Sequence, residues 1–169
     1  MNNIKINNTS LISTPSDGDV GYDIFANSEP NIVGTRSDLS GYTHIDYIEY
    51  DSGLVIDPGS GIHTLLFPRS SISNKNLLLC NSVGVIDSSY RGTVKVRFKY
   101  VPSPQDINNL GRFSASHTIF INPDSIYKKG DKIAQLVFQK SIFVNIEQCD
   151  SFNKTKRGEG GFGSTDYEK

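Results

Sequence analysis

Asp87 and Tyr90 stand three residues apart in the run Gly84-Val85-Ile86-Asp87-Ser88-Ser89-Tyr90-Arg91-Gly92. An acid and a ring bracketed by glycines, leading into the alternating Thr93-Val94-Lys95-Val96-Arg97-Phe98-Lys99-Tyr100, read as a hairpin that presents both groups to one ligand. A carboxylate held there can take a proton from water. Asn81, six residues before Asp87, adds an amide that both donates and accepts. In isolation Asp87 serves equally as a turn residue, and Tyr90 as a half-buried cross-strand aromatic.

Other segments carry the chemistry of anion binding. In Pro68-Arg69-Ser70-Ser71, proline pre-sets the chain at a helix start, where a guanidinium, hydroxyls and free N–H groups can converge on phosphate oxygens. The C-terminal strip Arg157-Gly158-Glu159-Gly160-Gly161-Phe162-Gly163-Ser164-Thr165 has four glycines that let backbone approach a phosphate closely. Such a strip also suits a plain linker, which has no need of an arginine and an aromatic at these places. Gln135 interrupts the apolar run Ile133-Ala134-Gln135-Leu136-Val137-Phe138, either at a strand surface or at a ligand. Asp23, in Gly21-Tyr22-Asp23-Ile24, is a turn-and-strand carboxylate or a metal-water holder.

The elements that must position these groups are short and β-rich. Runs of β-branched and aromatic residues at 52–56, 62–67, 77–80, 94–100, 117–121, 133–138 and 142–146 are separated by Gly, Pro, Asn, Asp and Ser. The even positions of 94–100 are apolar and Lys95, Arg97 and Lys99 face the other way, so this strand has one buried face and one wet or ligand-facing face. One short helix is expected to open at Ser70 or Ser71. The pattern is that of an all-β sandwich, jelly roll or barrel. With 169 residues and a net charge of −1, the chain fits one domain and offers no broad polyanion-binding surface, so phosphate binding must be local. Cys80 is expected as a buried, reduced thiol. The N-terminus has no apolar leader and no stretch is long enough to span a membrane, so a soluble intracellular protein is expected.

Taken in order, Gly21-Tyr22-Asp23-Ile24, Pro68-Arg69-Ser70-Ser71, the Asp87–Tyr90 run, Gly130-Asp131-Lys132-Ile133-Ala134-Gln135-Leu136 and the glycine-rich strip resemble the five motifs of the trimeric dUTP pyrophosphatases, or dUTPases. The resemblance implies a distorted jelly roll over 1–150 with a mobile arm at 151–169, and homotrimers whose sites are shared between chains. It implies hydrolysis of dUTP to dUMP and pyrophosphate with Mg²⁺. Asp87 would be the base, and Asp23 would hold the metal through water. Asn81 and the backbone at Gly84 would read uracil, while Tyr90 would pack on the deoxyribose. Arg69, Ser70 and Ser71 would hold phosphates, joined by Arg157, Gly163, Ser164 and Thr165, with Gln135 a phosphate or metal-water contact and Phe162 stacked on uracil.

This chain departs from the family pattern at Ser71, Asn76 and Asp166, where glycine is often found. Two stretches, 27–52 and 101–128, are longer than the family needs, and loops of that length are usually decoration. A dCTP deaminase of the same fold, or a regulatory dUTPase-like protein acting through these inserts, are the rival readings.

Overall fold

The computed structural model describes residues 3–109 and 117–161. In chain order the strands are β1 (Lys5–Ile6), β2 (Tyr22–Phe25), β3 (Asn31–Arg36), β4 (Tyr42–Asp51), β5 (Ile56–Asp57) and β6 (Ile62–Phe67). They continue with β7 (Leu77–Leu79), β8 (Gly84–Ile86), β9 (Lys95–Tyr100), β10 (Ile107–Asn109), β11 (His117–Ile119) and β12 (Lys132–Lys140). Among the described residues there is no α-helix. The helix expected at Ser70 or Ser71 is a 3-10 turn over Ser70–Asn74, and two further turns of this kind span Thr9–Leu11 and Pro104–Asp106.

Two sheets make the jelly roll. One has the order β2-β12-β6-β8; the other runs β10-β11-β4-β9-β7, with β3 also paired to β4, and β1 and β5 form a separate pair. The alternation read from the sequence is obeyed in β9, where Val96, Phe98 and Tyr100 are buried and Lys95, Arg97 and Lys99 exposed. Phe98 is fully buried and meets the rings of Tyr50 and Tyr127 at centroid distances of 5.9 and 5.6 Å. Ile24, Ile48, Leu54, Ile133 and Leu136 complete the centre. No helix among the described residues is long and apolar enough to cross a membrane.

Several expectations change. The run 84–100 is not a paired hairpin: β8 pairs with β6 and β9 with β4 and β7, in different sheets. The strand expected at 52–56 is confined to Ile56, because Ser52 and Leu54 bond instead around Val94. Ile142, Phe143, Val144 and Ile146 form no strand and are exposed, having no partner edge among the described residues. Nor is the stretch 27–52 decoration, since β4 carries the buried Ile48 and Tyr50 and lies at the centre of its sheet. Asn76 has a structural use: its amide bonds the Asp106 carboxylate at 3.2 Å, tying β7 to the 101–128 insert.

Truncating Phe98 removes a ring from a site that cannot collapse around it. Phe98→Ala should lower unfolding stability by about 3–5 kcal/mol, read from the urea midpoint at unchanged slope; a loss below about 1 kcal/mol would show that the two sheets do not depend on this contact.

Candidate active site

The crossing from one sheet to the other creates a cleft. Between β8 and β9 the chain turns at Asp87, whose carbonyl accepts the Tyr90 N–H at 3.1 Å. Asn81, Gly84, Asp87 and Tyr90 then line one wall of a cavity of about 400 Å³, and Thr93 to Arg97 the other, with Leu66 between them. Asp87 is exposed at the mouth, Gly84 is buried in the wall, and the half-exposed Tyr90 is fixed by its hydroxyl donating to the Thr93 carbonyl at 3.1 Å. Gly92 permits this pose, because a Cβ there would collide with the Tyr90 hydroxyl. Cys80 also lines the cleft and is exposed, not buried. Leu77 takes the inward position of its run, and the chain has turned outward by Cys80. Partial burial pushes the thiol up, despite the nearby Lys99 and Arg97.

A second cluster assembles Asp23, Arg69, Ser71, Lys132 and Gln135. Register does the assembling: Gln135 on β12 lies opposite Asp23 on β2 and Phe67 at the end of β6, so the chain beyond Phe67 folds back over both. Arg69 Nε donates to Asp23 Oδ1 at 2.8 Å and its Nη1 to Ser71 Oγ at 3.2 Å, while Lys132 Nζ meets Asp23 Oδ2 at 3.0 Å. Gln135 donates to the Pro68 carbonyl at 3.0 Å, and its other amide atom occupies the space where a side chain at Gly21 would begin. Ser70 is exposed beside this cluster, and no side chain caps the turn that it opens. Lys132 was missed as a site residue, although it lies inside the quoted motif. Its signal was the cation between Asp131 and the apolar strand.

Asp23 is a suitable magnesium-water holder in its chemistry. No cluster of three or more His, Cys, Asp or Glu converges among the described residues, and magnesium needs none, since it is held by one or two carboxylates, its own waters and substrate phosphates.

Lys95 and Arg97, on the face of β9 expected to be wet or ligand-facing, are bound to Glu49 at 3.1 and 2.7 Å, and the Arg97 guanidinium lies 4.3 Å from the Tyr47 ring centre. Arg157 is exposed and, among the described residues, its Nε donates to the Gly160 carbonyl at 3.0 Å. Phe162, Gly163, Ser164 and Thr165 lie outside the described residues, as does Asp166.

The dUTPase family model matches residues 7–108 and 117–166. The chain belongs to the dUTPase family. It is 35% identical over 120 residues to the deoxyuridine 5'-triphosphate nucleotidohydrolase of Desulfitobacterium hafniense, covering 70% of this chain and 67% of that one. The enzyme of the same name from Escherichia phage T5 is 32% identical over 117 residues, 68% of this chain and 66% of its own. Among solved structures, a mutant dUTPase of Staphylococcus bacteriophage 80alpha with dUpNHpp superposes with a TM-score of 0.69 at 21% identity, covering 98% of this chain and 99% of that one. A mutant dUTPase of phage phi11 of S. aureus, described with a structural Mg(II) ion, gives 0.62 at 20% identity over 89% and 99%. These two dUTPases share the jelly-roll fold.

Burial by itself would raise the Glu49 carboxyl, but hydrogen bonds from Arg97 and Lys95 outweigh it and hold the group below its ordinary value of 4.5. A depressed carboxylate contributes stability above its unfolded value and loses it as pH falls through the folded one. The urea midpoint should therefore drop on acidification below 4.5, and less steeply in Glu49→Gln. Identical pH profiles for the two proteins would reject the clamp.

Proposed function

We propose that the chain hydrolyses dUTP to dUMP and pyrophosphate, with Asp87 as the general base. The observation that carries this reading is one cleft lined by Asn81, Gly84, Asp87 and Tyr90, in a chain of the dUTPase family. Asn81 and the Gly84 backbone face a planar base from the cleft wall, and the Tyr90 ring leaves no room for a 2′-hydroxyl. Asp87 takes a proton from a water whose oxygen bonds to the α-phosphorus, and the bond from that phosphorus to the bridging oxygen breaks, releasing pyrophosphate. Arg69, Ser70, Ser71 and Gln135 hold the phosphates. When bound, magnesium neutralises phosphate charge, held to this chain through water on Asp23. Arg157, Gly163, Ser164 and Thr165 of the arm at 151–169 complete the phosphate cradle, and Phe162 covers uracil.

The two clusters support a site shared between copies. Continuing β8 past Ile86, which faces Thr64, sets Asp87 level with His63, whereas Arg69 follows Phe67. That offset is about 13 Å along the sheet, and β8 and β2 lie three strand spacings, about 14 Å, apart across it. A base must reach the attacking water directly, so one triphosphate does not engage both clusters of a single chain. The exposed apolar run Ile142, Phe143, Val144 and Ile146 further favours association with other copies. We infer a homotrimer whose sites combine Asp87 of one chain with Arg69 of another.

Asp87→Asn keeps the shape and removes the basicity, so turnover should fall roughly 10²-fold or more with dUTP affinity largely retained. Near-normal turnover would reject Asp87 as the base, and release of deaminated nucleotide from dCTP would favour the deaminase reading.

Sharing is tested by mixing inactive Asp87→Asn and Arg69→Gln chains under conditions of subunit exchange. On the order of a quarter of the sites in random assemblies should regain both residues and activity. No recovery after confirmed exchange would place both residues in one chain's site.

A further inference from the structure

Between Asp87 and Thr93 the chain crosses from one sheet to the other, and the turn that it makes has little of its own to hold it. The Asp87 carbonyl accepts the Tyr90 N–H at 3.1 Å, but among the described residues no backbone N–H reaches the carbonyl of Ser88 or of Tyr90. Ser89, Tyr90 and Arg91 are exposed. Water satisfies exposed carbonyls without fixing them in place, so a turn built this way drifts unless a side chain takes them up.

Arg91 takes them up. Its Nη1 donates to the Ser88 carbonyl at 2.7 Å and to the Tyr90 carbonyl at 2.9 Å, while Nη2 meets Asp57 Oδ1 at 2.8 Å. The planar guanidinium thereby ties the turn to β5, which belongs to neither of the two large sheets. Asp57 is itself held: its backbone is paired with Lys5 of β1, its Oδ1 also accepts the Gly59 N–H at 3.2 Å, and Pro58 between them is buried. At the far end of the crossing, Thr93 Oγ1 donates to Asp51 Oδ2 at 3.0 Å, and Asp51 Oδ1 accepts the Gly53 N–H at 2.7 Å. Both ends of the turn are therefore anchored on carboxylates that are fixed in turn by glycine N–H groups.

The Arg91 and Asp57 side chains are 49% and 39% exposed, and an ion pair so open to water contributes little to folding stability. Its effect is on geometry. Ser88 directly follows Asp87, and the Tyr90 carbonyl belongs to the residue whose ring lines the cleft, so the guanidinium grips the backbone on both sides of Ser89 and sets where the acid and the ring stand relative to each other. A displacement of about 1 Å in a reacting group can cost about 10²-fold in rate.

We propose that Arg91 is a positioning residue for the reaction, latched on Asp57 so that the Asp87 carboxylate and the Tyr90 ring are held in register with one bound nucleotide. The inference rests on the reading of Asp87 as the base.

The test compares Arg91→Met, Arg91→Lys and Asp57→Asn with the unaltered chain, reading kcat and KM for dUTP, the preference for dUTP over UTP, and thermal unfolding. Arg91→Met should lower kcat about ten- to a hundredfold with KM moving less than about threefold. The preference over UTP should shrink with it, because Asp87 and Tyr90 loosen together. Arg91→Lys keeps the charge but cannot reproduce the fork, so it should fall nearly as far; full rescue by lysine would make Arg91 a plain positive charge near the nucleotide and overturn the proposal. Asp57→Asn keeps an oxygen for the Gly59 N–H and removes the charge. It should lower kcat in the same direction and add less than about twofold in the Arg91→Met background, whereas independent, multiplying losses would overturn the latch. Melting temperatures should stay within about 4 °C of the unaltered chain. Unchanged kcat in Arg91→Met, or a loss of kcat that tracks a large fall in melting temperature, would also overturn it. Asp87→Asn separates this failure from that of the underlying reading: near-normal turnover in that variant means the base is elsewhere, while an inactive Asp87→Asn chain beside a fully active Arg91→Met chain rejects the latch alone.

Discussion

The division of β8 and β9 between two sheets is the constraint on which the candidate site depends. Had the two strands paired, their backbone groups would have satisfied each other and closed the space between them. Because β8 is hydrogen-bonded to β6 and β9 lies between β4 and β7, the two strands belong to different sheets and the chain from Asp87 to Thr93 has to span the gap between them. The cleft is the result, with Asn81, Asp87 and Tyr90 on one wall and Lys95 and Arg97 on the other. Rigid walls follow from the same pairing. β9 is locked from behind by the fully buried Phe98 and in front by Glu49, which faces Arg97 across the β4–β9 ladder and also binds Lys95.

The general architecture was legible in the residues and its connectivity was not. The alternation in 94–100 and the apolar run at 62–67 each gave the right element, since a strand with a buried face writes its period of two into the chain. Which strand pairs with which leaves no such local mark. The glycine-bracketed Asp87–Tyr90 run reads as a hairpin whether its flanks pair with each other or with different sheets. For the same reason the Tyr-rich stretch at 42–50 resembled a surface insert, although Ile48 and Tyr50 sit in the core. The site shows a similar split. Asp87, Tyr90, Asn81 and Gly84 share one sequence neighbourhood and were found together. The closeness of Asp23, Lys132, Arg69 and Gln135 arises from the β2–β12–β6 register and becomes visible only in the fold.

Both cation groups near the site are held by carboxylates in the same way. Glu49 receives Lys95 and Arg97; Asp23 receives Arg69 and Lys132. Each arrangement has two cations on one acid, so each leaves one positive charge in excess while keeping long, mobile side chains in a fixed pose. For Glu49, which is nearly buried, the clamp is permanent at neutral pH, and hydrogen bonds depress its carboxyl below the ordinary value against the effect of burial.

Asp23 differs from Glu49 in what its partners are for. Arg69 lies beside the hydroxyl of Ser71, which already accepts from it, and on the proposed reading a triphosphate would bring several negative charges to cations now engaged by one carboxylate. Charge-assisted bonds from guanidinium to phosphate and to carboxylate are both strong, so a nucleotide bound as proposed would compete with Asp23 for Arg69. A carboxylate left beside phosphates without its cations would be repelled. A hard divalent cation, when bound, would offset that repulsion, and a single aspartate would suffice to hold it on the protein side. On the proposed reading, the ion pair of the free chain keeps Arg69 extended toward the place where phosphate would bind, and it holds Asp23 where a metal-bound water would need an acceptor.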